Sequence, residues 1–215
     1  MHAVKILSSH AQGARDHFHV VKRQAIFKYW YFASLLQRDK FHSILEAVRE
    51  KFKDPWIYDV TLKALPNVGP DVTAEPSIYW DAPIAVAVHR RVDDGICPAV
   101  CMSLCVIGDV IYIMQLQGMA GTHIPPQLQN WPKMFVEACQ DFAIKKNFRQ
   151  VRIVKATSVP QFNMAGLQAE TPAALAKMRA NVQNRMLARY DGTAKKLGFV
   201  EAGRWFIWPN PQHQA

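Results

Sequence analysis

The sequence predicts an α+β fold: a mixed, mostly antiparallel central sheet flanked by helices, behind an N-terminal helical pair. Three observations predict it. Two apolar, β-rich runs, 99–107 and 110–116, are separated only by Gly108-Asp109. Gly at the first central position of such a turn supplies the positive φ of a type II′ hairpin. The second run enters a small-residue loop, Gln115-Leu116-Gln117-Gly118-Met119-Ala120-Gly121-Thr122, and a Pro-marked connection leads from it to a helical stretch at 131–147 and a short strand at 151–156. Ahead of all this, from Ala14 onward, apolar residues recur at helical spacing.

Taken in order, residues 1–13 form a lead-in. Residues 14–37 read as a helix, with Phe18, Val21, Ala25, Tyr29, Phe32 and Leu36 on one apolar face and Arg15, His19, Lys22 and Gln37 opposite. The run Phe27-Lys28-Tyr29-Trp30-Tyr31-Phe32 is aromatic all round, so this helix is expected to meet something on more than one side: layers of its own domain, or an acyl chain or partner. A second helix is expected over 40–52, capped by Asp39 and directing Phe41, Ile44, Leu45 and Val48 inward. Asp54-Pro55 ends it, because the residue before Pro is driven out of the α region. Residues 63–77 carry Pro and Gly and read as a long loop. Strands follow at 78–80 and 84–90, with a turn at Asp93-Asp94-Gly95. His89, alone near a strand end, reads as structural. After an irregular stretch through Gly166, a helix starts at Glu170 or Thr171 with Pro172 in its first turn. It is expected to run, with a break at Asp191-Gly192, to Leu197, where Gly198 is suited to the C′ position. Residues 199–208 read as one last strand with a kink at Gly203.

Composition narrows the classes. The 215 residues suit one domain (1–215, with the helical pair at 14–53 and the sheet-bearing core at 78–208), and half of them are hydrophobic, which excludes a disordered chain. The formal charge of +9 favours anionic partners. It is spread along the chain without a known nucleic-acid motif, so nucleic acid and an anionic membrane surface are not the favoured partners. The four cysteines, Cys97, Cys101, Cys105 and Cys139, are too few for a secreted disulfide scaffold. Even spacing puts Cys101, Ser103 and Cys105 on one strand face and Val100, Met102, Leu104 and Val106 on the other. Buried thiols in a reducing compartment are the expectation, and no metal site is expected. Residues 98–121 are apolar enough to suggest a membrane span, but Asp109 at the centre and β-formers on both sides favour a hairpin. The chain therefore reads as soluble and cytoplasmic.

A strand feeding a small-residue loop and then a helix is a common anion site, with bare N–H groups in the loop and positive potential at the helix N-terminus. Gln115, Gly118 and Ala120 stand in the pattern Gln-x-x-Gly-x-Ala at the end of a strand and ahead of a helix, and Leu197-Gly198-Phe199 turns a late helix into a strand. In these features the chain resembles the GNAT N-acyltransferases. The resemblance implies that residues Gln115, Leu116, Gln117, Gly118, Met119, Ala120, Gly121 and Thr122 bind acetyl-CoA or another acyl-CoA, with an amine as the unknown acceptor. The family's tyrosine, which protonates the departing thiolate, falls on Ala194 here. Tyr190, one helical turn earlier, is the candidate acid, and His123, Glu75 or a water is the candidate base. Tyr190→Phe is then expected to lower kcat with little change in Tm. Leu116-Gln117-Gly118, Pro126, Tyr190-Asp191, Leu197-Gly198 and the aromatic stretch 206–209 also resemble, distantly, the VirK-like bacterial family, whose biochemistry is not settled and which is linked to virulence and envelope traits. That resemblance implies the rival class: a GNAT-shaped domain without chemistry that binds a partner, nucleic acid or a membrane surface.

Overall fold

The computed structural model describes residues 25–52, 56–62, 82–92, 95–118, 126–159, 162 and 171–213. Among them, strands β1 (Ile57–Leu62), β2 (Ile84–Val92), β3 (Gly95–Ile107), β4 (Val110–Gly118), β5 (Gln150–Val154), β6 (Val200–Ala202) and β7 (Trp205–Pro209) form one sheet. Their spatial order is β1-β2-β3-β4-β5-β7-β6. Each neighbouring pair is antiparallel except β4 with β5. Parallel neighbours need a crossover, and helix α3 (Trp131–Lys145) provides it. The fold class is therefore α+β with a mixed, mostly antiparallel sheet, as expected.

The β3–β4 hairpin forms where the sequence places it. Ile107 pairs with Val110 across Gly108-Asp109, and Gly108 has φ +59 while Asp109 is not in the positive-φ region. That combination is the one a type II′ turn requires. The turn is tied down from outside, since the Arg149 N–H donates to the Asp109 carbonyl at 2.8 Å. The apolar run at 98–121 thus supplies a hairpin, and among the described residues no helix is long and apolar enough to cross a membrane.

Over residues 99–106 both faces of β3 are buried, which explains the nearly continuous apolar sequence there. Val100, Met102, Leu104 and Val106 enter the main core with Ile44 and Val48 of α2 (Phe41–Phe52) and Phe135 and Cys139 of α3. Cys105 lies on the opposite face with Ala82 and Met114, under Trp30 of helix α1, whose described part is 25–35. Cys101, Cys105 and Cys139 are free thiols and fully buried. Burial pushes the Cys101 thiol up to about 12, with the nearby Arg189 charge offsetting part of the rise, and burial raises Cys105 and Cys139 as well.

Helix ends follow local chemistry. The Thr171 hydroxyl accepts from the Ala174 N–H at 3.2 Å and caps α4 (Pro172–Leu187), with Pro172 in the first turn. Two helices close in Schellman motifs. In α3, Asn147 takes φ 56 at C′, and Phe148 N–H bonds back to Ala143 O at 2.8 Å. In the short α5 (Thr193–Lys196), Gly198 takes φ 78, and Phe199 N–H bonds back to Ala194 O at 3.0 Å.

Several expectations are corrected. The apolar face assigned to α1 is turned around: Tyr29, Phe32 and Leu36 are exposed, whereas Phe27 and Ser34 are buried. The reason is Ser34, whose hydroxyl accepts from Val106 N–H at 3.1 Å and so turns its own face to the sheet. Residues 199–208 are two strands, not one, because Gly203 at φ +60 closes a tight hairpin in which Ala202 pairs with Trp205. Strand β1, Ile57–Leu62, is an addition to the strands that the sequence predicts. The late helix is interrupted by a π-helical turn, Ala188–Gly192, rather than by a simple break at 191–192. Helix α2 begins at Phe41, after a 3₁₀ turn, Arg38–Lys40. The expectations for residues 1–13, Phe18, Val21, the strand at 78–80, the loop at 63–77, Asp93-Asp94 and the irregular stretch at 160 and 163–166 lie outside the described residues.

One buried polar residue ties the end of the chain to the crossover helix. Asn210 has no exposure, and its Nδ2 donates to Phe148 O at 2.8 Å and to Ala143 O at 3.2 Å. Its Oδ1 accepts from Gln212 N–H at 3.1 Å. Asn210→Ala is expected to cost about 1–3 kcal/mol, because it removes the side-chain donor from the Phe148 carbonyl and one of the two donors to the Ala143 carbonyl, read as a fall of several degrees in Tm with the α3 C-terminus losing hydrogen-exchange protection.

The thiols give a second expected outcome. Cys101, Cys105 and Cys139 should resist iodoacetamide at pH 8 in the folded protein and alkylate fully in denaturant, as peptide mapping would read. Their folded pKa values lie above the ordinary value of 9.0. The stability they lend is therefore complete below that value and is lost as pH rises past it, since the unfolded chain releases protons that the folded chain keeps. The slope is up to about 1.4 kcal/mol per pH unit for each thiol. Denaturant melts from pH 8 upward should show this decline.

Candidate functional site

The site begins with a defect in a strand. The β3–β4 register steps from Leu104↔Ile113 to Ser103↔Gln115, which leaves Met114 as a bulge residue on β4. A bulge bends its strand and increases the local twist. At that point β4 leaves β5: the two pair only over Val110–Ile113 and Gln150–Ile153, and β4 continues to Gly118 with β3 still beside it.

Backbone groups that β5 no longer covers find partners on the π-helical turn. Leu116 N–H donates to the Tyr190 hydroxyl at 2.9 Å, and that hydroxyl donates to the Leu116 carbonyl at 3.4 Å. Arg189 Nη1 donates to the same carbonyl at 3.1 Å. Across the gap, just past the end of β5, Ala156 N–H donates to Asp191 Oδ1 at 2.9 Å. Three consecutive residues therefore hold both strands. A π turn widens the helix by one residue, which is what lets neighbours in sequence reach in different directions here.

Arg189 also reaches the start of the crossover helix. Its guanidinium lies 5.1 Å from the ring centre of Trp131, the first and buried residue of α3. One side chain thus spans from the end of β4 to the N-terminus of α3. Burial lowers the Arg189 pKa, Tyr190 opposes this and Arg185 adds to it, yet a guanidinium stays charged. Among the described residues no carboxylate pairs with it. Where β4 and β5 part, the structure therefore places a half-buried positive charge and a buried phenol side by side.

The residues singled out from the sequence divide as follows. Gln115, Leu116, Gln117 and Gly118 form the end of β4. The Gln115 side chain is buried, where its Oε1 accepts from the Ser103 hydroxyl at 3.2 Å and its Nε2 donates to Gln117 at 2.8 Å. The Leu116 side chain belongs to the main core. Tyr190 is 2 % exposed, with its hydroxyl against Leu116, and Ala194 is fully buried. The structure brings Tyr190 and the strand end together. Met119, Ala120, Gly121, Thr122, His123 and Glu75 lie outside the described residues. Among the described residues no three His, Cys, Asp or Glu side chains group as metal ligands.

The sequence reading missed Arg189, Asp191 and Trp131. The signal that could have found the first two is charge on both sides of a tyrosine inside a helix, Arg189-Tyr190-Asp191, next to Gly192.

Because the Tyr190 hydroxyl serves a buried N–H, its removal is not neutral for the fold, contrary to the expectation above. Tyr190→Phe should cost about 1–3 kcal/mol, with Leu116 and its neighbours on β4 losing hydrogen-exchange protection. An unchanged Tm would show that water replaces the hydroxyl. No protein-family model matches the sequence, and no curated protein matches it as a relative, so the site is read from its own residues.

Proposed function

We propose that the chain is an acyl-CoA-dependent N-acyltransferase of GNAT-like architecture, moving an acyl group from acetyl-CoA or another acyl-CoA to an amine. The observation that carries this reading is the parting of β4 from β5 at the Met114 bulge, with Leu116 to Gly118 leading out of it. An acyl-CoA fits such an arrangement with its thioester in the gap and its pyrophosphate on the backbone N–H groups after Gly118, where small residues leave room for it. The charge of Arg189, which no carboxylate pairs among the described residues, supports the reading, since it favours an anion nearby. In the reaction the amine nitrogen attacks the thioester carbonyl carbon, the C–S bond breaks, the departing thiolate takes a proton and a base takes the proton of the amine.

Tyr190 is the proposed acid. Its hydroxyl accepts at 2.9 Å and donates at 3.4 Å. A thiolate in the gap is a stronger acceptor for the phenol proton than the Leu116 carbonyl. His123, Glu75 or a water remains the proposed base.

A specific observation favours a second reading, a non-catalytic GNAT-shaped, VirK-like protein that binds a partner. The Tyr190 hydroxyl already has a structural task, and Ala194 stands where the resemblance puts a tyrosine.

Acetyl-CoA at a hundred times its dissociation constant should stabilise the protein by about 2.7 kcal/mol, read as a rise in Tm. Gly118→Val should weaken that binding about ten-fold or more by crowding the pyrophosphate, with the unliganded Tm little changed. No rise with acetyl-CoA or any longer acyl-CoA would remove the enzyme reading. A rise without acyl transfer to any amine would leave the binding reading.

A further inference from the structure

Helix α1 presents an apolar stripe to solvent on the side away from the sheet. Ile26, Tyr29, Phe32 and Leu36 are 40 %, 61 %, 61 % and 85 % exposed. They follow one another at three, three and four residues, which places them on one helical face. Phe27, Trp30 and Ser34, on the other side, are the residues that meet the sheet. The stripe is thus not a misplaced core face: the helix has a core face already, and this is a second one. Among the described residues, the other large exposed apolar side chains lie on other elements: Ile144 on α3, Met178 and Leu187 on α4, and Val200 on β6.

Charge decides what covers it. From His17 to Arg38 the sequence contains no Asp or Glu, and it contains the cations Lys22, Arg23, Lys28 and Arg38. Lys28, in α1, and Arg38, in the 3₁₀ turn that follows it, are exposed. A second copy of the chain would set Lys28 near its counterpart across the contact, which like-charge repulsion opposes. An anionic bilayer complements both parts. Tyr rings prefer the headgroup level, Phe, Leu and Ile enter the acyl boundary, and Lys and Arg meet the lipid charge.

We infer that α1 is an interfacial helix that docks the protein on an anionic lipid surface through Ile26, Tyr29, Phe32 and Leu36, with Lys28 and Arg38 against the headgroups. This docking does not depend on acyl transfer, because the stripe lies on the sheet face opposite the core in which Tyr190 is packed.

The test is flotation of the full chain with vesicles of equimolar phosphatidylcholine and phosphatidylglycerol, against vesicles of phosphatidylcholine alone. The protein should partition to the anionic vesicles at least about ten-fold more strongly, and added salt should weaken it. The triple variant Tyr29→Ser, Phe32→Ser, Leu36→Ser should lose at least about ten-fold of that binding with an unchanged circular dichroism spectrum. Equal binding to both vesicles, binding to neither, or an unaffected variant would overturn the inference. A wild-type dimer that becomes a monomer in the triple variant, without flotation, would overturn it in favour of self-association. Should the triple variant not fold, Lys28→Glu with Arg38→Glu leaves the apolar contacts intact: loss of flotation supports docking, and undiminished flotation refutes it.

Discussion

A buried strand that loses its neighbour partway must find other partners for the N–H and C=O groups it exposes, since each one left bare costs about 1–3 kcal/mol. Most of this molecule's C-terminal half answers that requirement on β4. The Met114 bulge turns the strand away from β5, and the π-helical turn enters the resulting gap. Tyr190 satisfies Leu116 on one side and Asp191 satisfies Ala156 on the other. With those contacts fixed, the rest of the helix has little freedom. Ala194 is driven into the core, Gly198 must turn left-handed to end the helix, and Phe199 leads the chain into the β6–β7 hairpin that flanks β5.

The same solution appears a second time on the other side of the hairpin. β2 pairs with β3 only as far as Ile84↔Leu104, while β3 continues to Ile107. Val106 is left with a bare edge, and the Ser34 hydroxyl accepts from its N–H at 3.1 Å and reaches its carbonyl at 3.5 Å. In both places a hydroxyl suits the task because it donates and accepts at one atom. Ser34 thereby sets the rotation of α1, and that rotation decides which of its aromatic side chains reach solvent.

What could be read in the sequence was local. Gly108-Asp109 between two β-rich runs, Thr171-Pro172 ahead of a helix and Gly198 after one are signals written within a few residues, and each lies where it was expected. The bonds that shape the site are not local: Tyr190 and Leu116 are 74 positions apart, Ser34 and Val106 are 72 apart, and neither pair has a signature in its own neighbourhood. Helix α1 was recognised but given the wrong face, because a helix that is apolar all round has a hydrophobic period without a direction. β1 carries a signal in the β-branched and aromatic content of Ile57-Tyr58-Asp59-Val60-Thr61-Leu62, but six residues hold too few repeats to show a strand period. The strand end of the candidate site was legible through its glycine. Arg189 and Asp191 were not, because the one residue that a π turn adds to a helix changes which way its neighbours point.

The strand order has a consequence for how the molecule comes together and apart. From β1 to β4 each strand lies beside its predecessor in the chain, and β5, β7 and β6 form a second group. The two groups meet along one short parallel seam, Val110–Ile113 against Gln150–Ile153, which can close only after α3 has carried the chain across. The β2–β3, β3–β4 and β6–β7 hairpins make contacts of low sequence separation and form early, whereas such a junction, like the β5–β7 pairing, joins residues far apart in the chain and forms late. By the same logic it is among the first lines to yield when the native state opens in part. The seam runs directly into the gap bridged by Tyr190 and Asp191, so breathing of the sheet and widening of the site are one motion.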